Sequence, residues 1–237
     1  DSSGSQSSGL ICGGSQTNLE LTLTPEKHIK IVKKISEAAS LGLGSLIFSP
    51  KKMDLIEETV EKTAFTKYGK SDEDWKVILP LSNHRRIAVF GGGHCGVALS
   101  NTMQRLDYDV TIVESREGLN TLDGLDTSVK RVITDFEHAV RHIDHQSNTI
   151  AIVMTYSMDT DISALAGMID KEFKWIGLMG SQSKIARIKH KLREQGFSDL
   201  QINKIVVSVG MGFNSDTPEE IAVSIAAKIL YIRESGI

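Results

Sequence analysis

Apolar and polar positions follow two alternating patterns along most of the chain. From residue 86 onward, short apolar runs are separated by segments in which apolar residues recur every three or four positions. The runs predict strands over residues 86–90, 109–113, 131–134, 149–154, 174–178 and 204–208. The periodic segments predict helices over residues 94–106, 136–144, 161–171, 183–195 and 218 to about 234. This alternation predicts an α/β fold with a parallel sheet and crossover helices on its faces.

The first part of the chain has a less regular pattern and predicts a smaller α+β domain. A helix is expected to begin at Thr24-Pro25, where an N-cap hydroxyl precedes a proline at the first helical position. Its apolar stripe consists of Ile29, Val32, Ile35 and Ala39, and ends by Gly42 or Gly44. Strands are predicted over residues 18–22, 46–48 and 75–79, whereas the charged stretch 51–74 has no clear pattern. Residues 80–84 form the expected linker, so we predict domains over residues 1–82 and 83–237.

The most informative segment is the loop at residues 91–96, with the sequence GGGHCG, directly after the first strand of the larger domain. Gly91, Gly93 and Gly96 have the G-x-G-x-x-G spacing. In such a loop the first glycine permits a tight turn, the second lets a phosphate approach the backbone, and the third lets helix pack on strand. The following helix directs free N–H groups and the positive end of its dipole at an anion in the loop. The sequence therefore predicts a nucleotide-type or pterin-type anion site, with a glycine turn kept only for packing as the alternative.

Glu114 lies at the end of the next predicted strand, 18 residues after Gly96. A carboxylate at this place can accept hydrogen bonds from a ribose 2′-hydroxyl. The position therefore favours NAD-like or other ribose ligands over ligands with a 2′-phosphate.

Two residues inside the glycine loop carry chemistry of their own. His94 is expected to face the ligand and to donate a hydrogen bond to a phosphate or pterin oxygen. Cys95 stands at a helix start, which lowers the pKa of a thiol and favours the thiolate. Such a thiolate could hold sulfur, ligate a metal or touch a ligand. A small apolar residue packed under the loop is the favoured interpretation of Cys95.

A second loop, residues 180–184, follows another predicted strand and opens a basic helix. Gly180, Ser181 and Lys184 can form a second anion pocket, because small residues and a lysine surround a helix start. The equally weighted alternative is a serine-capped amphipathic helix with a solvated basic face.

Other polar residues give weaker predictions. His138 and His142 have an i, i+4 spacing and lie near His145, but a solvated helix face is favoured over a metal site. Tyr156, Asp159 and Asp161 follow a strand end and are expected to line the site. A helix N-cap at Asp159 or Asp161 is the alternative for at least one of the two aspartates. No nucleophile stands beside a recognisable acid or base, so we assign neither a catalytic residue nor a metal ligand.

Length and composition narrow the class of protein further. The chain has 237 residues and a net charge of -3, which gives no electrostatic reason to bind nucleic acid or an anionic membrane. No apolar run approaches the length of a membrane span, and the two cysteines are too few for a disulfide scaffold. A reducing cytoplasm is the expected location. The first nine residues are expected to be a flexible tail or a trimmed start.

Four segments together resemble the XdhC/CoxI family of xanthine dehydrogenase accessory factors. They are residues 10–14 (LICGG), 87–96, 175–181 (WIGLMGS) with Lys184, and 217–225 (TPEEIAVSI). The resemblance implies a Rossmann-like domain behind a smaller N-terminal domain. It also implies a chaperone that binds the molybdenum cofactor (molybdopterin), protects it during sulfuration and delivers it to a molybdenum hydroxylase such as xanthine dehydrogenase.

The resemblance further implies contact with a cysteine desulfurase, and homodimers are common in such proteins. A rival hypothesis is an NAD-dependent oxidoreductase that uses the same glycine loop, with chemistry from Tyr156 or His94. The lack of a paired acid and base near the strand ends is the sequence feature against it.

Overall fold

The computed structural model describes residues 20–41, 44–50, 52–58, 64–67, 74–81, 85–207, 209–212 and 214–235. The chain divides into two units, Asp1–Leu81 and Ser82–Ile237. In the described ranges, no helix combines the length and the apolar character that crossing a membrane requires.

The first unit contains one helix and an antiparallel sheet with the strand order β2-β1-β4-β3. The elements are α1 (Pro25–Leu41), β1 (Ser45–Ser49), β2 (Lys52–Ile56), β3 (Ala64–Lys67) and β4 (Trp75–Pro80). The predicted helix start and the strands near residues 46–48 and 75–79 are confirmed.

Two strands of the first unit lie within the stretch 51–74, for which the sequence predicted no element. In β2, the charged Lys52 and Asp54 alternate with apolar residues and form an ion pair at 2.8 Å, so the strand lacks an apolar run. Antiparallel pairing with β1 supplies its stability instead, with Leu46 opposite Leu55.

Two other predictions for the first unit, the strand 18–22 and the buried stripe of α1, differ from the structure. The described part of the predicted strand 18–22, residues 20–22, is not a strand, and residues 18 and 19 lie outside the described residues. The predicted apolar stripe of α1 is only partly buried, because Ile29 and Val32 are exposed.

The second unit is built on a six-stranded parallel sheet with the order β10-β9-β8-β5-β6-β7. Its strands are β5 (Arg86–Phe90), β6 (Asp109–Glu114), β7 (Lys130–Ile133), β8 (Thr149–Val153), β9 (Trp175–Leu178) and β10 (Ile205–Val207). All six predicted strands, and with them the predicted fold class, are confirmed. The chain leaves β5 toward β6 on one side and later returns to β8 on the other. In open α/β sheets, ligands bind at such a reversal of strand order, outside the carboxyl ends of the strands.

Helices cover both faces of this sheet. They are α2 (His94–Arg105), α3 (Met158–Met168), α4 (Gln182–Glu194), α5 (Asp199–Ile202) and α6 (Pro218–Ser235). The central strand β5 is apolar on both sides: Ile87 and Val89 pack toward α2 and α6, while Ala88 and Phe90 pack toward α3 and α4. The glycine loop therefore starts from a fully buried strand, which fixes its position.

The predicted helix over residues 136–144 is wrong. The structure has only a single 3-10 turn there, Ala139–His142, within the connection from β7 to β8. Phe136, Ala139, Val140 and Ile143 are all buried on the core, with the spacing of a helix face. Isolated turns also bring residues three and four apart to one side, so this spacing does not distinguish them from a helix.

Candidate functional site at the carboxyl ends of the strands

Two of the loop glycines are fixed by close backbone packing. Gly91 has φ +125°, and a Cβ on it would lie 2.3 Å from the carbonyl oxygen of Met154. A Cβ on Gly96 would lie 1.9 Å from the carbonyl oxygen of Gly91. Any side chain at either position would displace backbone, so these residues set the shape of the turn and the close approach of α2 to β5.

Gly93 differs from its neighbours because it is open. A Cβ on Gly93 would have no atom of the described residues within 4 Å, and the backbone of Gly93 is extended, with φ -69° and ψ 177°. Gly93 is the N-cap of α2, and no side chain in the described part of the chain caps this helix. The amides of the first turn therefore keep free N–H groups beside an open backbone surface, which is the geometry that an anion requires.

His94 and Cys95 begin α2 but have different surroundings. His94 is exposed and lines a cavity of about 510 Å³ together with Asn101, Thr121 and Glu219. Cys95 is half-buried and packs against the apolar cluster under α2. Burial, with a contribution from the charge of Glu219, raises the pKa of the Cys95 thiol. This direction is opposite to the lowering expected from its place at a helix start, and it supports the packing interpretation.

Glu114 is completely buried, and protein atoms surround its carboxylate. Oε2 accepts hydrogen bonds from the Gly92 amide (2.8 Å) and from Nη2 of Arg116 (3.0 Å). Oε1 accepts from the amides of Ser115 and Arg116 and from Nε of Arg116, at 2.8, 3.0 and 3.0 Å. Burial by itself would raise the pKa of Glu114, but the hydrogen bonds from Arg116 and the backbone outweigh it and lower the pKa.

Glu114 therefore holds the loop as well as marking the end of β6. Its contact with the Gly92 amide ties the glycine loop to the neighbouring strand. Gly92 has to be small, because its Cβ would lie 2.8 Å from Cδ2 of Leu122 and 3.1 Å from Oε2 of Glu114. Gly92 lies outside the G-x-G-x-x-G spacing, so the motif does not predict this role.

Arg116 is a site residue that the sequence analysis missed. Its guanidinium group binds Glu114 in a bidentate manner, and its Cζ lies 4.2 Å from the ring centroid of Tyr156. The Tyr156 ring is exposed on one side and lies 6.4 Å from the ring of Phe136. The sequence does contain a clue, because Arg116 follows two residues after the acid at the strand end.

The loop after β9 has the serine cap that one of the two interpretations expected. The Ser181 hydroxyl accepts a hydrogen bond from the Lys184 amide at 3.3 Å, and α4 begins at the next residue. A Cβ on Gly180 would lie 3.0 Å from Cδ of Lys184, so the lysine stem packs across this glycine.

The ammonium group of Lys184 pairs with a buried carboxylate on another helix. Nζ of Lys184 lies 2.5 Å from Oδ2 of Asp161, which is completely buried. No hydrogen bond of ordinary geometry reaches that oxygen from the described residues. We regard the contact as an ion pair, since charge attraction has no strict angular requirement.

Asp161 also holds the loop after β8. Its Oδ1 accepts hydrogen bonds from the amide and the hydroxyl of Thr155, at 3.0 and 2.6 Å. The prediction that Asp159 or Asp161 caps the helix is wrong, because Ser157 is the N-cap of α3 and forms a capping box with Thr160. A hydroxyl at the cap leaves the Asp161 carboxylate free to pair with Lys184.

The structure thus brings the loops after β5, β6, β8 and β9 together through two networks. One network runs from Gly92 through Glu114 and Arg116 to Tyr156. The other runs from Lys184 through Asp161 to Thr155. Because Thr155 and Tyr156 are adjacent, both networks end in the loop after β8.

The three histidines near residue 140 lie apart from these networks. Among the described residues, no group of His, Cys, Asp and Glu has an arrangement that could hold a metal ion. His138 lines a separate cavity of about 1020 Å³, whose walls carry both acidic and basic side chains, including Glu137, Arg141 and Lys171. This mixed charge gives no preference for one class of ligand, so we centre the candidate site on the glycine loop.

The strand order, the glycine spacing and the acid at the end of β6 define the second unit as a Rossmann-type domain. Residues 87–229 match the family described as the XdhC Rossmann domain. This match covers more than half of the chain, and the chain belongs to this family. The resemblance found in the sequence is thereby confirmed.

The chain is also similar to two other proteins and to one solved structure. Uncharacterized protein YqeB of Escherichia coli (strain K12) is 27% identical over 152 residues, or 64% of this chain and 28% of that protein. A protein of Bacillus subtilis (strain 168), named as a probable xanthine dehydrogenase subunit, is 26% identical over 153 residues, or 63% of this chain and 43% of that protein. The chain therefore aligns with less than half the length of each.

The solved structure is a crystal structure of a xanthine dehydrogenase from Bacillus halodurans. It has a TM-score of 0.65 and 19% sequence identity, and the similarity covers 87% of this chain and 64% of that one. At this identity the likeness shows that the fold is shared.

Proposed function

We propose that this protein binds the molybdenum cofactor, in its molybdopterin form, and delivers it to a molybdenum hydroxylase of the xanthine dehydrogenase type. Membership of the XdhC family supports a role associated with xanthine dehydrogenase, as does the name of the Bacillus subtilis relative. The observation that carries the proposal is the open surface at Gly93, beside the uncapped first turn of α2. A phosphate fits this surface, because free N–H groups and the helix dipole both favour a negative charge there.

In this proposal each of the other predicted site residues has its own role. Gly91 and Gly96 fix the turn, while His94 lies at its exposed edge. Lys184 pairs with Asp161 through one side of an ammonium group that has three donors, so donors remain for a ligand anion above Gly180 and Ser181. Glu114 acts on the ligand indirectly, because its bond with the Gly92 amide holds the glycine loop in place. Cys95 contributes packing beneath the loop.

When bound, the molybdenum cofactor would supply redox chemistry to the enzyme that receives it. The residues of this chain would bind, orient and shield the group until transfer. We propose that a cysteine desulfurase meets the protein while the cofactor is sulfurated, and that two copies of the chain form a homodimer.

The test is to purify the protein under reducing conditions and to measure the molybdopterin released on denaturation. We expect a substantial fraction of the wild-type protein to carry it, and Gly93→Val to abolish it, because the valine side chain would occupy the anion's place. Gly93→Val should cost no more than about 1 kcal/mol of stability, because the position is open and valine is only a poorer N-cap than glycine. A cofactor content unchanged in Gly93→Val would contradict the proposed site.

A matched change at Gly96 separates the binding role from the packing role. Gly96→Ala places a Cβ against the Gly91 carbonyl oxygen and should lower the free energy of unfolding by several kcal/mol. If Gly93→Val destabilises the protein as much as Gly96→Ala does, Gly93 serves packing and the proposed site falls.

An NAD-dependent oxidoreductase is the second candidate, and the strand order favours it. The order β7-β6-β5-β8-β9-β10 is that of dinucleotide-binding Rossmann folds. Calorimetry with NAD, combined with a spectroscopic assay of hydride transfer, separates the candidates. Tight binding of NAD together with hydride transfer would replace the chaperone proposal.

A further inference from the structure

At the end of β6, the side chain that is accessible to a ligand is Arg116, whereas the sequence predicted a ligand contact from Glu114. Glu114 is 0% exposed, and its two oxygens already accept five hydrogen bonds of 3.0 Å or less. A carboxylate has about four lone-pair sites, so this one has no capacity left for ribose hydroxyls. The group that remains accessible is the Arg116 side chain, which is 40% exposed.

The guanidinium group of Arg116 is held in place before any ligand arrives. Nε and Nη2 bind Glu114, while the ring of Tyr156 covers one face at 4.2 Å. Within the described part of the chain, Nη1 is left without a protein acceptor. An arginine fixed in this way loses little side-chain entropy on binding, and its free donors favour a phosphate over a neutral group.

The position of this arginine relative to the glycine loop suits a second anionic group of the same ligand. Arg116 follows β6 and Tyr156 follows β8, and these two strands flank β5, whose end carries the glycine loop. The Gly92 amide joins the loop directly to the Glu114 carboxylate that orients Arg116. A phosphate at the loop and a phosphate at Arg116 would therefore lie at neighbouring strand ends.

We propose that Arg116, supported by Glu114 and Tyr156, binds a phosphate monoester of the ligand. The site then prefers a ligand that carries this phosphate to the same ligand without it. This preference is the reverse of the one that Glu114 suggested from the sequence. The inference rests on the proposed anion site at the glycine loop and adds a second phosphate contact beside it. Only a ligand with two phosphate groups fills both contacts; the molybdopterin form, with one phosphate, would use one of them at a time.

NADP+ and NAD+ form a matched pair of probes, because they differ only in a 2′-phosphate. Titration calorimetry at low ionic strength should show that the wild-type protein binds NADP+ at least about tenfold more tightly, as expected for charge-assisted hydrogen bonds. In Arg116→Gln the ratio of the two dissociation constants should fall to about one. Arg116→Lys should retain part of the preference, since the charge stays while the fork is lost.

Two further variants serve as controls. Arg187→Gln removes an equal charge from the exposed face of α4 and should leave the preference unchanged. Tyr156→Leu keeps the ion pair with Glu114 but frees one face of the guanidinium group, and should reduce the preference. The wild-type comparison decides the question even if Arg116→Gln fails to fold.

Equal affinities for the two probes, a preference for NAD+, or no binding of either would overturn the inference. Gly93→Val should weaken the binding of NADP+ and of NAD+ by the same factor, because it blocks the glycine loop and leaves Arg116 intact. A preference for NADP+ in a protein that carries no molybdopterin would remove the cofactor proposal while leaving the phosphate contact of Arg116 standing.

Discussion

Two buried carboxylates hold the loops at the carboxyl ends of the strands, and they are satisfied in different ways. Glu114 and Asp161 are both completely buried, and each pairs with one cation. Glu114 also accepts hydrogen bonds from three backbone amides at one end of β6. Asp161 uses one oxygen for Thr155, and Lys184 is the one described residue that pairs with the other.

This difference shows what each cation contributes. At Glu114, backbone donors fix the carboxylate, and they would remain whatever side chain stood at position 116. Arg116 is therefore more available to a ligand than an ordinary ion-paired residue would be. At Asp161 the cation is indispensable, because an unpaired charge in the interior costs far more than a missing surface contact.

The largest expected effect follows from removing the cation at Asp161. Lys184→Met keeps the stem that packs over Gly180 but leaves a buried carboxylate oxygen without a partner. We expect a loss of about 3 kcal/mol in the free energy of unfolding, in line with broken buried ion pairs. Urea denaturation followed by circular dichroism measures this change.

The control for this prediction is Lys189→Met, which removes a lysine from the same helix α4 and should cost less than about 0.5 kcal/mol. The double variant Lys184→Met with Asp161→Asn should recover part of the loss, because the amide carries no charge. If Lys184→Met is as stable as the Lys189→Met control, water already solvates Asp161, and the contrast between Asp161 and Glu114 is removed.

Removing the cation at Glu114 is expected to cost less. Arg116→Met leaves the amides of Gly92, Ser115 and residue 116 in place as donors to the carboxylate. We expect a loss of about 1.5 kcal/mol in the free energy of unfolding, which is typical of hydrogen bonds to a charged group. This loss is about half of the one expected for Lys184→Met. The same denaturation series measures both, and an Arg116→Met loss equal to or above the Lys184→Met loss would reverse the comparison.

How far the sequence predicts this molecule depends on whether a feature is set locally. Buried parallel strands need apolar residues on both faces, so runs such as Ile87, Ala88, Val89 and Phe90 predict the sheet directly. The glycine loop is also local, since its turn and its helix start lie within residues 91–96.

The carboxylate networks are not local, and the sequence does not predict them. Asp161 lies on α3 and its cation on α4, so only the packing of the two helices brings them together. Glu114 could be placed at a strand end, but its orientation toward the Gly92 amide depends on the pairing of β5 with β6. The apolar spacing of residues 136–144 misleads for a related reason, because burial alone does not specify a continuous helix.

The pH dependence of stability gives a finer test of the Glu114 network. The pKa of Glu114 is lowered from its ordinary value of 4.5 in the folded protein, so the unfolded chain takes up the proton first as the pH falls. The contribution of Glu114 to stability is therefore full at neutral pH and is lost as the pH falls through the folded pKa.

The difference in unfolding free energy between the wild type and Glu114→Gln should thus shrink as the pH falls below about 4.5. Glu117→Gln changes an exposed carboxylate three residues away and should track the wild type throughout. A difference that stays constant down to about pH 3, well below the ordinary glutamate pKa, would mean that the network does not depend on the charge of Glu114.

The smallest expected effect concerns Ser181, where helix capping and ligand binding have to be separated. Ser181→Ala removes an exposed cap whose hydrogen bond is 3.3 Å long, so we expect a loss of about 0.5 kcal/mol in stability. Ser181→Asp keeps a good cap and should retain the stability, but it places a negative charge beside the proposed anion. Binding of the anionic ligand should therefore fall in Ser181→Asp and stay near the wild-type value in Ser181→Ala. If binding is unchanged in Ser181→Asp, the loop after β9 lies outside the ligand site and the anion contacts belong to the β5 and β6 loops alone.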